Sequence, residues 1–179
     1  DGLYWIKNGN INGGYPFQIY ADMTTDGGGW TLLLTNAGYV GWTTENAVSY
    51  NTNTPSLNSN YSIVNWGDYI KKSASGFQYM IDANTRGNWG GIWTANGNYS
   101  FVAANPNQTN VTLDIRFSSW NYNDAGIEER MPWYSGNYYP TLTTNHNGYN
   151  DANWWGTLVT TSQGWTTAPW IAATMANPT

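Results

Sequence analysis

The stretch YADMTTDGGGW, residues 20–30, decides the fold because three consecutive glycines separate two apolar runs. The run FQIY, residues 17–20, ends at the first residue of the stretch, and WTLLL, residues 30–34, begins at its last residue. Glycine adopts positive φ without steric cost. The pattern therefore predicts a tight positive-φ turn that carries Trp30 into the core and begins a central strand. No lysine follows the glycines, which argues against a phosphate-binding loop.

Aromatic residues, rather than charged ones, set the character of this chain of 179 residues. Aromatic residues make up 17% of it and charged residues 9%, whereas roughly 25% of an average soluble domain is charged. Tryptophan and tyrosine offer a flat apolar ring with a polar tip. Such a composition suits a surface that meets sugars or other neutral polar partners, and the length suits one domain.

Charge and cysteine content exclude several classes of function. The net charge is −5, and only 6 lysines and arginines are present, so no basic stripe is available for nucleic acid or an anionic membrane surface. No apolar run reaches the 18 or so residues of a membrane span, and we expect no membrane insertion. The chain has no cysteine, which excludes disulfides, thiol nucleophiles and thiolate metal sites.

Hydrophobic patterning predicts a mainly antiparallel sheet with one or two short helices. The best helix candidate covers residues 62–73, where Ile63, Trp66 and Ile70 recur at helical spacing. The predicted strands cover residues 1–7, 17–20, 30–34, 76–82, 90–93, 98–103, 111–117, 158–161 and 170–175. Residues 41–60 are interpreted as an irregular loop. Regular patterning almost vanishes over residues 118–157, as in a functional loop region.

Three segments, DGLYWIK, PFQIYADM and TTDGGGWTLL, resemble the opening of fibrinogen C-terminal-like domains, the group of ficolins, tachylectin-type lectins and intelectins. The match runs in register through Gly2, Tyr4, Ile6, Pro16, Phe17, Tyr20, Asp22, Met23 and residues 26–31. Ala21 replaces the family's cysteine, so the chain is most similar to a compact, cysteine-free bacterial type. The resemblance implies a single α+β domain over residues 1–179, with a twisted sheet scaffold over 1–117 and a loop-rich lobe over 118–179.

The functions of this family are mainly recognition rather than catalysis. Ficolins and tachylectins bind acetylated sugars near a Ca²⁺ site, and intelectins bind sugar diols directly through Ca²⁺. The resemblance therefore implies a calcium-dependent lectin or adhesin that binds a glycan or another cell-surface ligand through its C-terminal lobe. We expect such a protein to be secreted or held on a bacterial surface, with any secretion signal removed, and to have no enzymatic activity.

The acidic stretch WNYNDAGIEER, residues 120–130, is the first candidate site. Ca²⁺ takes about six to eight oxygen ligands from carboxylates, amides and carbonyls, and this loop is dense in all three. The predicted metal ligands are Asp124, Glu128, Glu129, Asn145 and Asp151. The animal lectins carry a D-x-D loop in this region, which this stretch lacks. The alternative is a solvated acidic loop with Arg130 as its internal partner.

Two aromatic stretches are the candidate ligand site. NHNGYNDANWWG, residues 145–156, combines amides, a carboxylate and aromatic rings, as sugar recognition requires. PWYSGNYYP, residues 132–140, offers a stacking rim or, alternatively, a loop packed by its own side chains. The predicted ligand-binding residues are His146, Asn147, Tyr149, Asp151, Trp154, Trp133 and Tyr138. The alternatives are a structural histidine and a tryptophan pair, Trp154 and Trp155, with at least one ring in the core.

Two other functions remain open from the sequence. The first is a structural tip or assembly domain of a bacterial surface fibre, forming a homotrimer through exposed aromatic residues. The second is a glycoside hydrolase, which needs two carboxylates roughly 5 to 10 Å apart. Asp124 or Glu128 with Asp151 would fit that requirement, although no nucleophile motif accompanies His146.

Overall fold

The computed structural model describes residues 1–37, 44–83, 89–102 and 108–117, together with the backbone of two short strands further along the chain. The described part is mainly antiparallel sheet with short helices, as predicted, and fits an α+β or mainly-β class. The strands are β1 (Gly2–Ile6), β2 (Phe17–Asp22), β3 (Trp30–Thr31), β4 (Leu34–Thr35), β5 (Tyr61–Ser62), β6 (Phe77–Ala83), β7 (Trp89–Ala95), β8 (Val111–Arg116), β9 (Thr143–Thr144) and β10 (Val159–Thr160). The helices are α1 (Thr44–Val48) and α2 (Gly67–Ile70).

The first sheet has the antiparallel order β1-β2-β3. Successive side chains of a strand point to opposite faces, and Phe17, Ile19 and Ala21 of β2 accordingly share one buried face. Phe17 packs edge-on against Trp66, with ring centroids 4.9 Å apart. Ala21 is a small residue on this buried face.

The three glycines form the predicted positive-φ turn, with φ of 84° at Gly27, 78° at Gly28 and 86° at Gly29. Gly28 is also required by space, because a Cβ there would lie 2.3 Å from the carbonyl oxygen of Met23. The indole Nε1–H of Trp30 donates to the carbonyl oxygen of Thr25 at 2.7 Å. The turn is therefore held from both sides.

Asp22, the aspartate that ends β2, is buried and organises the same turn. Its carboxylate accepts hydrogen bonds from the backbone N–H of Thr24 and of Thr25, each at 2.9 Å. It also accepts the Thr25 hydroxyl at 2.6 Å. A carboxylate so occupied by backbone and hydroxyl donors serves as a structural cap.

The prediction of one buried strand over residues 30–34 is wrong, because the chain changes partners within it. The N–H of Leu32 donates to the Tyr20 carbonyl at 3.0 Å, which continues the first sheet. The carbonyl of Leu33 instead accepts from Ile63 at 2.8 Å, and β4 pairs with β5. Trp30 is only half-buried, and β3 lies at the edge of its sheet rather than at the centre.

The helix predicted over residues 62–73 is shorter than expected. Ser62 belongs to β5, a 3-10 turn covers Val64–Trp66, and α2 ends at Ile70 because Lys71 is extended, with ψ of 145°. The loop predicted over residues 41–60 contains α1. Gly67, the first residue of α2, is buried against the Phe101 ring, and a Cβ at this position would lie 2.9 Å from Cδ2 of that ring.

The third sheet has the antiparallel order β6-β7-β8 and confirms three predicted strands. The Tyr79 and Trp93 rings stack at 5.6 Å across β6 and β7. Phe77 contacts Phe101, with ring centroids 5.3 Å apart. The strand predicted over residues 98–103 does not form in residues 98–102, where the backbone N–H of Phe101 donates to the Asp68 carboxylate instead.

Of the predicted closing strands, one is present and one lies outside the described residues. β10 falls within the strand predicted over residues 158–161 and pairs in parallel with β9. The strand predicted over residues 170–175 lies outside the described part of the chain.

Candidate functional site

The residues predicted from the sequence to bind metal or ligand all lie outside the described residues. They are Asp124, Glu128, Glu129, Asn145, Asp151, His146, Asn147, Tyr149, Trp154, Trp133 and Tyr138. The described part of the chain offers a different candidate site, which is a groove between the first and third sheets.

The groove has a volume of about 730 Å³. Tyr20 in β2 and Trp30 in β3 supply aromatic walls, and both rings are half-buried. The segment after β3 and Ile70 of α2 add aliphatic surface. Gln78 of β6 and Thr94 of β7 supply an amide and a hydroxyl. Pockets of about 300 to 1,000 Å³ with apolar walls and a few polar groups are typical of small-ligand sites.

The polar wall of the groove is fixed by a hydrogen-bonded cluster centred on Asp114. The Thr94 hydroxyl donates to Asp114 Oδ2 at 2.6 Å, and Gln78 Nε2 donates to the same oxygen at 3.0 Å. These three residues come from the three strands of the third sheet. The pairing of β7 with β8 shifts register between Ile92 and Trp93, which leaves Asp114 without a directly paired residue. Both donors are therefore held in place by the same carboxylate oxygen, and the Gln78 side chain also carries an amide oxygen that can accept a hydrogen bond.

A second polar cluster joins α2 to residues 99–102. Asp68 accepts the Phe101 backbone N–H at 2.8 Å and the Ser100 hydroxyl. Lys71 Nζ lies 3.3 Å from Asp68 Oδ1 and donates to the Tyr99 carbonyl at 2.5 Å. Its ammonium also lies 4.9 Å from the centroid of the Phe77 ring. Lys71 lines the groove, but its charge is already neutralised by Asp68.

Two buried tyrosines keep their protons. Burial raises the pKa of the Tyr79 hydroxyl well above its usual range, and the negative charge of Asp114 adds to the effect. Burial likewise raises the pKa of Tyr61. Among the described residues the Tyr61 hydroxyl has no hydrogen-bond partner. Neither group is suited to act as a base, because deprotonation would leave a charge in an apolar core.

The described residues contain no group of three or more His, Cys, Asp or Glu that would hold a metal ion. The buried carboxylate of Asp22 lines the groove, but it is occupied by the turn at Thr24 and Thr25. No helix in the described ranges is long and apolar enough to cross a membrane.

Sequence reasoning missed the groove because its walls come from distant parts of the chain. One signal was present: residues 77–80 of β6 alternate between buried and more exposed positions, so Gln78 and Met80 share the face opposite buried Phe77 and Tyr79. A polar and half-apolar face of this kind indicates a surface that meets something other than the core. The opposite wall of the groove is formed by Tyr20 and Trp30. Their position relative to β6 cannot be predicted from the local sequence pattern.

The comparisons add no relative to this picture. The chain matches no protein-family model, no curated protein and no solved structure. The resemblance to fibrinogen-like domains therefore stays a prediction from the residues between Gly2 and Thr31.

Proposed function

We propose that the chain is an extracellular carbohydrate- or cell-surface-ligand-binding module, a lectin or adhesin, secreted or held on a bacterial surface. The groove is the observation that carries the proposal, because it combines aromatic rings with fixed amide and hydroxyl groups. The low charge and high aromatic content of the sequence support the same reading. The resemblance of residues 1–33 to a family of lectins points in this direction as well.

The groove suits a neutral polar ligand for a physical reason. Sugar rings present apolar C–H faces and a rim of hydroxyls, which match aromatic surfaces and hydrogen-bonding side chains, respectively. Tyr20 and Trp30 provide the first kind of surface, and Gln78 with Thr94 provides the second. The Asp114 carboxylate fixes the two polar side chains before a ligand arrives, so less conformational entropy is lost on binding.

Calcium belongs to this proposal through the acidic residues of the C-terminal region. Asp124, Glu128, Glu129, Asn145 and Asp151 have the oxygen chemistry that Ca²⁺ prefers. We propose that they hold the ion and that His146, Asn147, Tyr149, Asp151, Trp154, Trp133 and Tyr138 contact the ligand beside it. The groove would then be a second contact surface for a longer glycan.

A glycan array measured in Ca²⁺ and again in chelator tests both parts of the proposal, the binding of a glycan and its dependence on calcium. We expect sugar binding that falls in chelator and that Glu128→Gln weakens, whereas Glu45→Gln in α1 leaves it unchanged. Thr94→Val removes a groove hydroxyl and is expected to weaken binding several-fold, with exposed Thr109→Val as its matched control. Absence of glycan binding in both conditions, together with no calcium in the purified protein, would contradict the proposal.

A second function, an assembly domain of a surface fibre, is favoured by one observation. Leu3, Tyr4 and Trp5 form a run of exposed apolar residues on β1. Runs of this kind mark protein contacts. The sequence suggested a homotrimer, and light scattering at increasing concentration measures the mass directly. A monomer at every concentration would contradict this second function while leaving the glycan proposal intact.

A further inference from the structure

The first strand carries an unusual surface. β1 lies at the edge of the described first sheet, with β2 on one side and no strand of the described residues on the other. Leu3, Tyr4 and Trp5 are 54%, 46% and 69% exposed. An exposed apolar edge strand presents unpaired backbone N–H and C=O groups to another chain, and proteins usually protect such edges.

The sequence of this strand is complementary to itself when it is read in the reverse direction. Two copies paired in antiparallel fashion about a two-fold axis at Tyr4 place Leu3 of each copy opposite Trp5 of the other. The same axis places Asp1 of each copy opposite Lys7 of the other. These four residues lie at alternate positions; Leu3 and Trp5 share one face of β1, and Asp1 and Lys7 directly flank the strand. A two-fold interface demands this reciprocity, because each contact must occur twice.

The charges favour this register over its neighbours. Lys7 is exposed and has no ion-pair partner among the described residues. The Asp1 carboxylate is held in place, since it accepts the Met23 N–H at 2.7 Å and the Thr24 hydroxyl at 3.1 Å. Shifting the pairing by two residues in one direction sets Lys7 opposite Leu3. A shift of two residues in the other direction sets Asp1 opposite Trp5. Each of the two shifted registers therefore places a charged side chain against an apolar one.

From this geometry we infer that the partner of β1 is a second copy of the same chain, paired antiparallel about Tyr4. The pairing joins two three-stranded sheets into one continuous sheet. Apolar contacts between Leu3 and Trp5 supply the affinity, as large buried aromatics do at interfaces. The exposed ion pairs contribute little energy and serve to select the register. The inference is independent of the glycan proposal, because it uses neither the groove nor the C-terminal region.

A single engineered cysteine tests the two-fold axis, because the chain contains none of its own. Directly opposed residues of antiparallel strands have Cα atoms about 4.5 to 5.5 Å apart, a distance that a disulfide spans. Tyr4→Cys is therefore expected to form a covalent dimer under mild oxidation. Tyr69→Cys, at a residue 54% exposed, is the matched control and stays monomeric. Equal cross-linking rates for the two variants would overturn the inference.

A mixture of two variants tests the register. Leu3→Cys on a chain with an affinity tag, mixed with untagged Trp5→Cys, is expected to give mixed dimers faster than either variant dimerises with itself. Faster self-linking of either variant would overturn this register. Far-ultraviolet circular dichroism of each variant checks that the sheet is retained.

Sedimentation equilibrium tests the assembly in the unmodified chain. We expect a monomer–dimer equilibrium that Lys7→Glu weakens about tenfold, through the loss of two ion pairs and the addition of two repulsions. Lys72→Glu makes the same charge change at another exposed lysine and is expected to have no effect. A monomer at all concentrations, a trimer, or equal effects of the two substitutions would overturn the inference.

Discussion

The indole Nε1–H of Trp30 donates to the carbonyl oxygen of Thr25 at 2.7 Å, across a turn of three glycines. The bond connects the first residue of β3 to the start of the turn. Glycine-rich segments lose much conformational entropy on folding, and this contact holds one such segment in a single shape. Asp22 fixes the N-terminal end of the same turn, because its carboxylate accepts the backbone N–H groups of Thr24 and Thr25. The signature that suggested the family thus has a structural role in this chain.

Replacing Trp30 by phenylalanine is expected to destabilise the protein by about 1 kcal/mol or somewhat more. The substitution keeps an aromatic ring but removes the N–H, which leaves the Thr25 carbonyl without this donor. Chemical denaturation monitored by circular dichroism measures the change. Tyr15→Phe, at an aromatic ring that is 73% exposed, is the control and should change stability by less than about 0.5 kcal/mol. Equal losses for the two variants would show that the indole bond contributes nothing.

Gly28→Ala is expected to destabilise the protein by several kcal/mol, far more than Gly27→Ala. Both glycines have positive φ, 78° and 84°, so alanine at either pays a backbone cost of about 1 kcal/mol or more. Only at Gly28 would the added Cβ lie 2.3 Å from the Met23 carbonyl oxygen, whereas the space around Gly27 is open. The difference between the two unfolding free energies isolates the clash. Similar values would mean that the turn moves to accommodate a side chain.

Asp68→Asn is expected to destabilise the protein by about 1 to 3 kcal/mol. The substitution removes the negative charge beside Lys71 and weakens the acceptor of the Phe101 N–H. Asp26→Asn, at an exposed aspartate in the turn, is the control and should be nearly neutral, because asparagine tolerates positive φ. A double-mutant cycle with Lys71→Met separates the ion pair from the backbone bond. A coupling energy of zero would contradict the contribution of the pair.

Local patterns in the sequence were sufficient where partners are near in sequence or where alternation is strict. Gln78 and Tyr79 alternate between an exposed and a buried face, and β6 forms as predicted. The glycine turn was also readable, since it depends on backbone freedom alone. Leu32 and Leu33 show the limit, because they bond to different sheets through Tyr20 and Ile63. Nothing within WTLLL itself encodes that change of partner.

The candidate site shows even more clearly that contacts between distant residues cannot be predicted from local sequence patterns. A groove wall needs both Trp30 and Thr94 in position, and these residues are separated by more than sixty positions in the chain. Residue chemistry can be judged from sequence, but the meeting of distant side chains follows from packing. For that reason composition predicted a sugar-like partner, whereas only the structure located a surface with suitable groups.

Alkaline pH is expected to unfold the protein, and Tyr79→Phe should reduce that sensitivity. Burial, with Asp114 as a second cause, raises the pKa of Tyr79 well above the value of about 10 that it has in the unfolded chain. The folded state therefore holds the proton more tightly, so this contribution is fully present below pH 10 and is lost as pH rises towards the folded pKa. Thermal unfolding between pH 8 and 11 measures the loss. Tyr69→Phe, at an exposed ring, should retain the wild-type slope, and identical slopes for all three proteins would refute the assignment.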